Sequence, residues 1–189
     1  VATIDKATAA ERLVVCAIIM AERGEDPLAI HVIAASALQV LRDLIKKAGD
    51  DYVEQVLKIG AFTVASARVN GESVNLPSNA EMDAVVDTAV NGIKAGTVTQ
   101  AADLVINLNA AGRRALLDSI VKPYNFLKHA DNDPLATLDE TDIDPDHVIG
   151  HALSALTMVS PGKPLPDTIK PYLERRDLLA PEQSSEAQA

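Results

Sequence analysis

Tryptophan is absent from this chain, cysteine occurs once, and aromatic residues make up only 3% of it. A core with so few large rings has to be built from Ala, Val, Ile and Leu, and small side chains favour closely packed helices. A single cysteine excludes both an intramolecular disulfide framework and a cysteine-based zinc site. Cys16 lies in the run Leu13-Val14-Val15-Cys16-Ala17-Ile18-Ile19-Met20, the context of a small buried hydrophobe and not of a nucleophile. That run is eight residues long and follows Asp5, Lys6, Glu11 and Arg12. It is too short and too amphipathic to span a bilayer, and it carries no convincing signal-peptide cleavage pattern. A soluble, cytoplasmic protein with no membrane association is the expectation.

Basic residues are in deficit: 17 Lys and Arg stand against 27 Asp and Glu, a formal charge of -10 with a pI near 4.8. Such a surface as a whole repels phosphate backbones and anionic membranes. Lys46-Lys47, Arg113-Arg114 and Arg175-Arg176 are isolated pairs that read as helix-end or solvated charges, not as a basic patch. The nine glycines are dispersed, so no phosphate-cradling loop exists, and no Gly-x-Ser-x-Gly nucleophile elbow occurs.

What is present is helical spacing, with period-two alternation never sustained. The 189 residues suffice for one domain, expected over residues 1–180, with a tail over 181–189 too poor in apolar side chains to order itself. The fold class that follows is an all-α helical bundle. A first helix is expected from Thr3 to Arg23. Asp26 then caps a second, with Pro27 in its first turn and Ile30, Ala34, Ala37, Leu38, Leu41 and Ile45 on its apolar stripe. Further helices are expected from Asp51 to about Val69, from Ser78 to about Lys94 and from Thr97 to about Leu108. The last two open with the capping-box pairs Ser78/Glu81 and Thr97/Gln100. Arg113 to Val121 reads as a short helix interrupted by Pro123. Asp144-Pro145 repeats the cap-and-proline device at the start of a helix to Val159, and a last helix is expected around Asp167 to Leu179.

Polar and ionisable residues crowd into Tyr124-Asn125-Phe126-Leu127-Lys128-His129-Ala130-Asp131-Asn132-Asp133-Pro134. On a helix Asn125 and His129 share a face, while Lys128 points about 100° away from His129. A structural role suits them: Asn125 and His129 bonding neighbouring helix ends, Lys128 paired with Asp131 or Asp133, and Asp133-Pro134 capping a following helix. The stretch from Asn125 to Asp131, closed by Asp133-Pro134, resembles the signature of a family of bacterial helical proteins to which no function is attached. Asp26-Pro27-Leu28-Ala29-Ile30-His31 with Leu41-Arg42-Asp43-Leu44 is similar to a second pattern of that family, and the two together cover about residues 26 to 140.

More distantly, the stretch resembles the HEPN superfamily, helical bundles that include metal-independent endoribonucleases and binding or regulatory modules. Those nucleases carry Arg, a polar residue often Asn, three variable residues and His on a helix at a dimer cleft. The matching positions here are Tyr124, Asn125 and His129, so tyrosine occupies the arginine position. A guanidinium holds and neutralises a scissile phosphate, whereas a phenol with an ordinary pKa of about 10 is neutral and only hydrogen-bonds. Lys122 or Lys128 is left to supply the charge. The resemblance implies a HEPN-like module, RNA- or nucleotide-associated or regulatory, acting as a homo-oligomer or with a protein partner. Its candidate catalytic residues are Asn125, Lys128, His129 and Asp131, no cofactor is implied, and enzymatic activity stays open.

The four histidines, His31, His129, His147 and His151, support a different reading. His147 and His151 stand one helical turn apart, the spacing at which two imidazoles share one metal ion. The glutamate of the zinc-protease signature is missing between them. A metal-binding helical enzyme using His129, His147 and His151, with oxygen from Asp131 or Asp146, would take a divalent ion such as Zn, Fe or Mn. His31, beside Ile30 and Ala34, reads as a satisfied core histidine. The acidic run Asp139-Glu140-Asp142-Asp144-Asp146 lacks the glycine and terminal glutamate of a calcium loop and reads as a solvated connection with a helix cap. A purely structural or partner-binding protein is the third reading.

Overall fold

A computed structural model of the chain describes residues 3–72, 74, 80–106, 110–129 and 131–175. Seven α-helices and no strand occur among them, so the expected all-α class is the observed one. Aspartates start the first three. Asp5 accepts the Thr8 amide hydrogen (2.7 Å) ahead of α1 (Lys6–Glu22), and Asp26 that of Ala29 (2.9 Å) ahead of α2 (Pro27–Lys47). Asp51 accepts that of Glu54 (3.0 Å) ahead of α3 (Tyr52–Asn70). Each carboxylate satisfies an amide that has no partner inside the helix and sits at the positive end of the helix dipole. Gly71, with φ 79°, ends α3 in the left-handed conformation that a side chain would penalise. α4 (Ala80–Lys94), α5 (Ala110–Lys128), α6 (Pro145–Val159) and α7 (Lys170–Arg175) follow. Ser78 and the tail at 181–189 lie outside the described residues.

The helix expected from Thr97 does not form. The Thr97 hydroxyl donates backwards to the Gly92 carbonyl (3.2 Å), finishing α4 instead of opening a new helix. Two residues on, the Asp103 carboxylate gathers the Thr99 amide and hydroxyl and the Gln100 amide (2.8, 2.9 and 3.1 Å). The capping box therefore belongs to Gln100 and Asp103, and it closes a single 3₁₀ turn, Ala101–Asp103, after which Leu104 is extended. α5 differs in the other direction. It continues past Pro123 with a kink at Val121 (φ -113°, ψ 19°), because proline offers no amide to the Ser119 carbonyl and crowds it. Asp133-Pro134 opens no helix; the Ala136 amide bonds the Asp133 carbonyl (3.2 Å) in a turn. The last helical stretch is a 3₁₀ turn, Asp167–Ile169, continued by α7.

The chain divides into two compact units, residues 1–44 with 120–189, and residues 45–119. In the second, α3 packs on α4 and on the 101–103 turn, with Ala61, Ala65, Val86, Ala89 and Leu104 at the centre and Phe62, Met82 and Val98 around them. Alanines at the contact let the helix backbones approach, as the scarcity of rings requires. Arg113, expected as a solvated charge, pairs with Asp51 and with Glu54 (3.5 Å), and Arg68 bridges to Asp87 (3.0 Å).

In the first unit α1 packs along α6 and on the 167–169 turn. Ala10, Val14, Ala17 and Ile18 are buried here with Val148, Ile149, Ala152 and Leu156. Lys163 pairs with Glu11 and Arg175 with Glu22. Cys16 is exposed, contrary to its apolar context, because it falls on the side of α1 opposite this seam. α2 is long and apolar enough to cross a membrane by length and composition, with 44% of its apolar window buried, a property that core helices share.

Glycines inside helices give a test of the packing. A Cβ on Gly60 of α3 meets nothing within 4 Å, whereas one on Gly92 of α4 falls 2.6 Å from Val98 Cγ2 and 3.2 Å from Val98 Cβ. Valine is stiff about its first torsion and cannot swing clear cheaply. Gly60→Ala is expected to raise the unfolding free energy by about 0.5–1 kcal/mol through helix propensity. Gly92→Ala is expected to lower it by about 1 kcal/mol as overpacking outweighs the same gain. Urea unfolding of the two variants reads both signs.

Candidate functional site

The acidic run at 139–146 is a scaffold for the start of α6. Asp139 accepts from the amide (2.9 Å) and hydroxyl (2.8 Å) of Thr141, which closes the 3₁₀ turn Glu140–Asp142. Those bonds, with Lys122 nearby, hold the Asp139 carboxyl below the usual carboxylate range. Lys122 itself reaches Asp142 (2.6 Å). Asp144 then accepts the His147 amide hydrogen (3.0 Å), with Pro145 at the first helical position, so α6 starts where the cap-and-proline pattern places it. Tyr172 donates its hydroxyl to Asp146 (2.9 Å), tying α7 to the same end of α6.

This start sets His147 and His151 on one face. Their Nε2 atoms are 3.1 Å apart, with ring centroids at 4.6 Å and planes at 74°. Between two neutral imidazoles such a contact is a hydrogen bond in which one ring donates and the other accepts, so each fixes the tautomer of its neighbour. His147 is exposed and His151 half-buried. Loss of solvent around His151, reinforced by the neighbouring His147, pushes its pKa down to about 4.

His31 lies behind this pair on α2. It is buried at 2% exposure, and among the described residues neither ring nitrogen has a hydrogen-bond partner. It occupies the core as expected, but it is not satisfied there. Burial lowers its pKa; the backbone and charge of Asp144 oppose the shift without completing a hydrogen bond, and His147 adds to it. His31 therefore faces the first turn of α6, where Asp144 and His147 stand. Its place beside Ile30 and Ala34 foretold burial, but nothing in the spacing of α2 tells which element arrives opposite.

The other expected residues gather at the end of α5. The His129 amide still bonds the Asn125 carbonyl (3.0 Å), so helical spacing persists to His129 and the two side chains share a face. Asn125 is half-buried, while Lys128, His129 and Asp131 are exposed. Lys128 does not take the ion pair with Asp131 or Asp133; its Nζ stands 5.7 Å from the centroid of the Tyr124 ring. Among the described residues no group of three or more His, Cys, Asp or Glu side chains is preformed for a metal ion, so His129 does not complete a ready-made triad with His147 and His151. A cleft beside the end of α6, lined by Glu11, Thr157 and Lys163, is too small to enclose a ligand and is spanned by the Lys163–Glu11 pair. Compared with protein-family models, curated proteins and solved structures, the chain finds no match in any of the three.

The His151 shift has a testable consequence. The folded pKa of about 4 lies below the ordinary 6.5, so the contribution is complete above pH 6.5 and disappears as pH falls towards 4, when the unfolded chain takes up a proton that the folded chain refuses. Chelator-treated protein is expected to lose about 2–3 kcal/mol of stability from this group between pH 7 and 4. In paired urea titrations at the two pH values, His151→Gln is expected to lose correspondingly less than the wild type; equal losses would show that His151 is not the group involved.

Proposed function

We propose that this chain is a helical metal-binding module in which His147 and His151 form a chelating pair for one divalent transition-metal ion. The 3.1 Å separation of their Nε2 atoms carries the reading. Two nitrogens each bound to one zinc ion at about 2.0–2.1 Å stand roughly 2.9–3.4 Å apart for angles between 90° and tetrahedral. Exchanging the shared proton for a shared metal then calls for ring rotations and no movement of the backbone. The ligand form of histidine is the neutral one, and desolvation keeps His151 in that form well below neutral pH. Imidazole donors suit Zn, Cu, Ni or Fe better than Mg or Ca. Chelator-stripped protein titrated with Zn²⁺ against a chromophoric competitor is expected to bind one equivalent, and His147→Gln and His151→Gln each to abolish it with unchanged far-UV circular dichroism. A folded wild type that takes up no Zn²⁺, Cu²⁺ or Ni²⁺ rejects the reading.

A second reading, the HEPN-like one, rests on Lys128. Its ammonium lies over Tyr124, the residue standing where the nuclease pattern has arginine, so a cation accompanies Asn125 and His129 after all. On this reading the end of α5, in a homo-oligomer, contacts RNA or a nucleotide phosphate, with Asp131 at its edge. RNA cleavage or nucleotide binding that survives EDTA and is lost in both Lys128→Ala and His129→Ala is the expected result; no cleavage of varied RNAs and no nucleotide binding by the wild type ends it.

A further inference from the structure

The geometry points to His31 as the third ligand of the α6 metal site, making it an all-imidazole centre of His31, His147 and His151; this rests on the chelating-pair reading above. His31 is the single buried polar side chain among the described residues, and both of its ring nitrogens lack a partner. Native folds seldom bury a polar atom without satisfying it, and an orphaned imidazole nitrogen is also an unused metal ligand. The ring is directed at the one part of the chain that offers a reason for it: Asp144 and His147, at the start of α6, act on it directly.

The arrangement is open in the form described. His147 spends its Nε2 on His151, and no three-residue group is preformed. His147 is also the exposed member of the three, so its ring can turn inward without disturbing packed side chains, whereas His31 is held by the core. A metal ion drawn in by the α6 pair would thus meet a fixed, dehydrated nitrogen on its inner side and keep an outer position for water or another ligand. Three neutral nitrogens with one open position suit a borderline ion such as Zn²⁺, and disfavour Mg²⁺ and Ca²⁺, which demand oxygen.

The test uses the full chain, stripped with chelator and labelled with ¹⁵N-histidine, with ring resonances assigned through Gln variants of each histidine. On adding one equivalent of Zn²⁺, the ring nitrogens of His31, His147 and His151 are expected to shift and those of His129 to stay in place. Shifts confined to His147 and His151, or a third shift at His129, overturn the assignment of His31 and leave the chelating pair standing. Unmoved histidines overturn both. His31→Leu is expected to weaken Zn²⁺ binding at least about tenfold, the loss that even an outer-shell partner causes, and to raise the melting temperature of the metal-free protein, since an orphaned polar group is replaced by an apolar one. Unchanged affinity in that variant also overturns the assignment, and the wild-type spectra decide the matter should the variant fail to fold.

Discussion

The bond from the His147 amide to the Asp144 carboxylate decides where α6 begins. Moving that start by one residue would rotate the whole helix by about 100° relative to its core face. Val148, Ile149, Ala152 and Leu156 would then leave the seam with α1, and the two histidines would leave their shared face. Pro145 strengthens the choice, because its fixed backbone angle and missing amide suit the first helical position and few others. One capping interaction, worth about 1 kcal/mol alone, thereby sets a register that several buried side chains and the candidate site share.

Desolvation sets the character of the site that follows. The same small-residue packing that compensates for so few aromatic rings brings helices close enough to strip water from His31 and His151. Both imidazoles are driven towards the neutral form, His31 without any partner and His151 with His147 beside it. Neutral imidazoles are poor partners for phosphate and good ones for metal. This is the physical ground for placing the stronger functional reading on α6 instead of on the end of α5, where the polar residues are more numerous and more exposed.

Charges that look alike in the sequence take different roles in the fold. Arg113 and Arg114 are neighbours, yet Arg113 reaches Asp51 and Glu54 at the start of α3, while Arg114 pairs with Asp118 on its own helix (3.7 Å) and stays in solvent. Lys128 stands near two aspartates in sequence and is found over a tyrosine ring. Pro123 marks a disturbance correctly, but the helix absorbs it as a kink at Val121 because Pro123 is itself buried among apolar neighbours.

Local rules were legible in the sequence wherever the interaction spans three or four residues. Asp5, Asp26, Asp51 and Asp144 cap helices, Asp144-Pro145 starts α6, and His147 and His151 share a face, all because short-range geometry leaves few alternatives. Thr97 escaped the same rules: a threonine hydroxyl can reach backwards to a carbonyl as well as forwards to an amide, and the end of α4 was closer. Tertiary structure alone decided that Cys16 faces outward, that Arg113 meets Asp51 and Glu54, and that His31 lies against the first turn of α6 without a partner. Helical periodicity tells which residues of one helix share a face, but what that face meets depends on elements tens of residues away, and no local spacing carries that information.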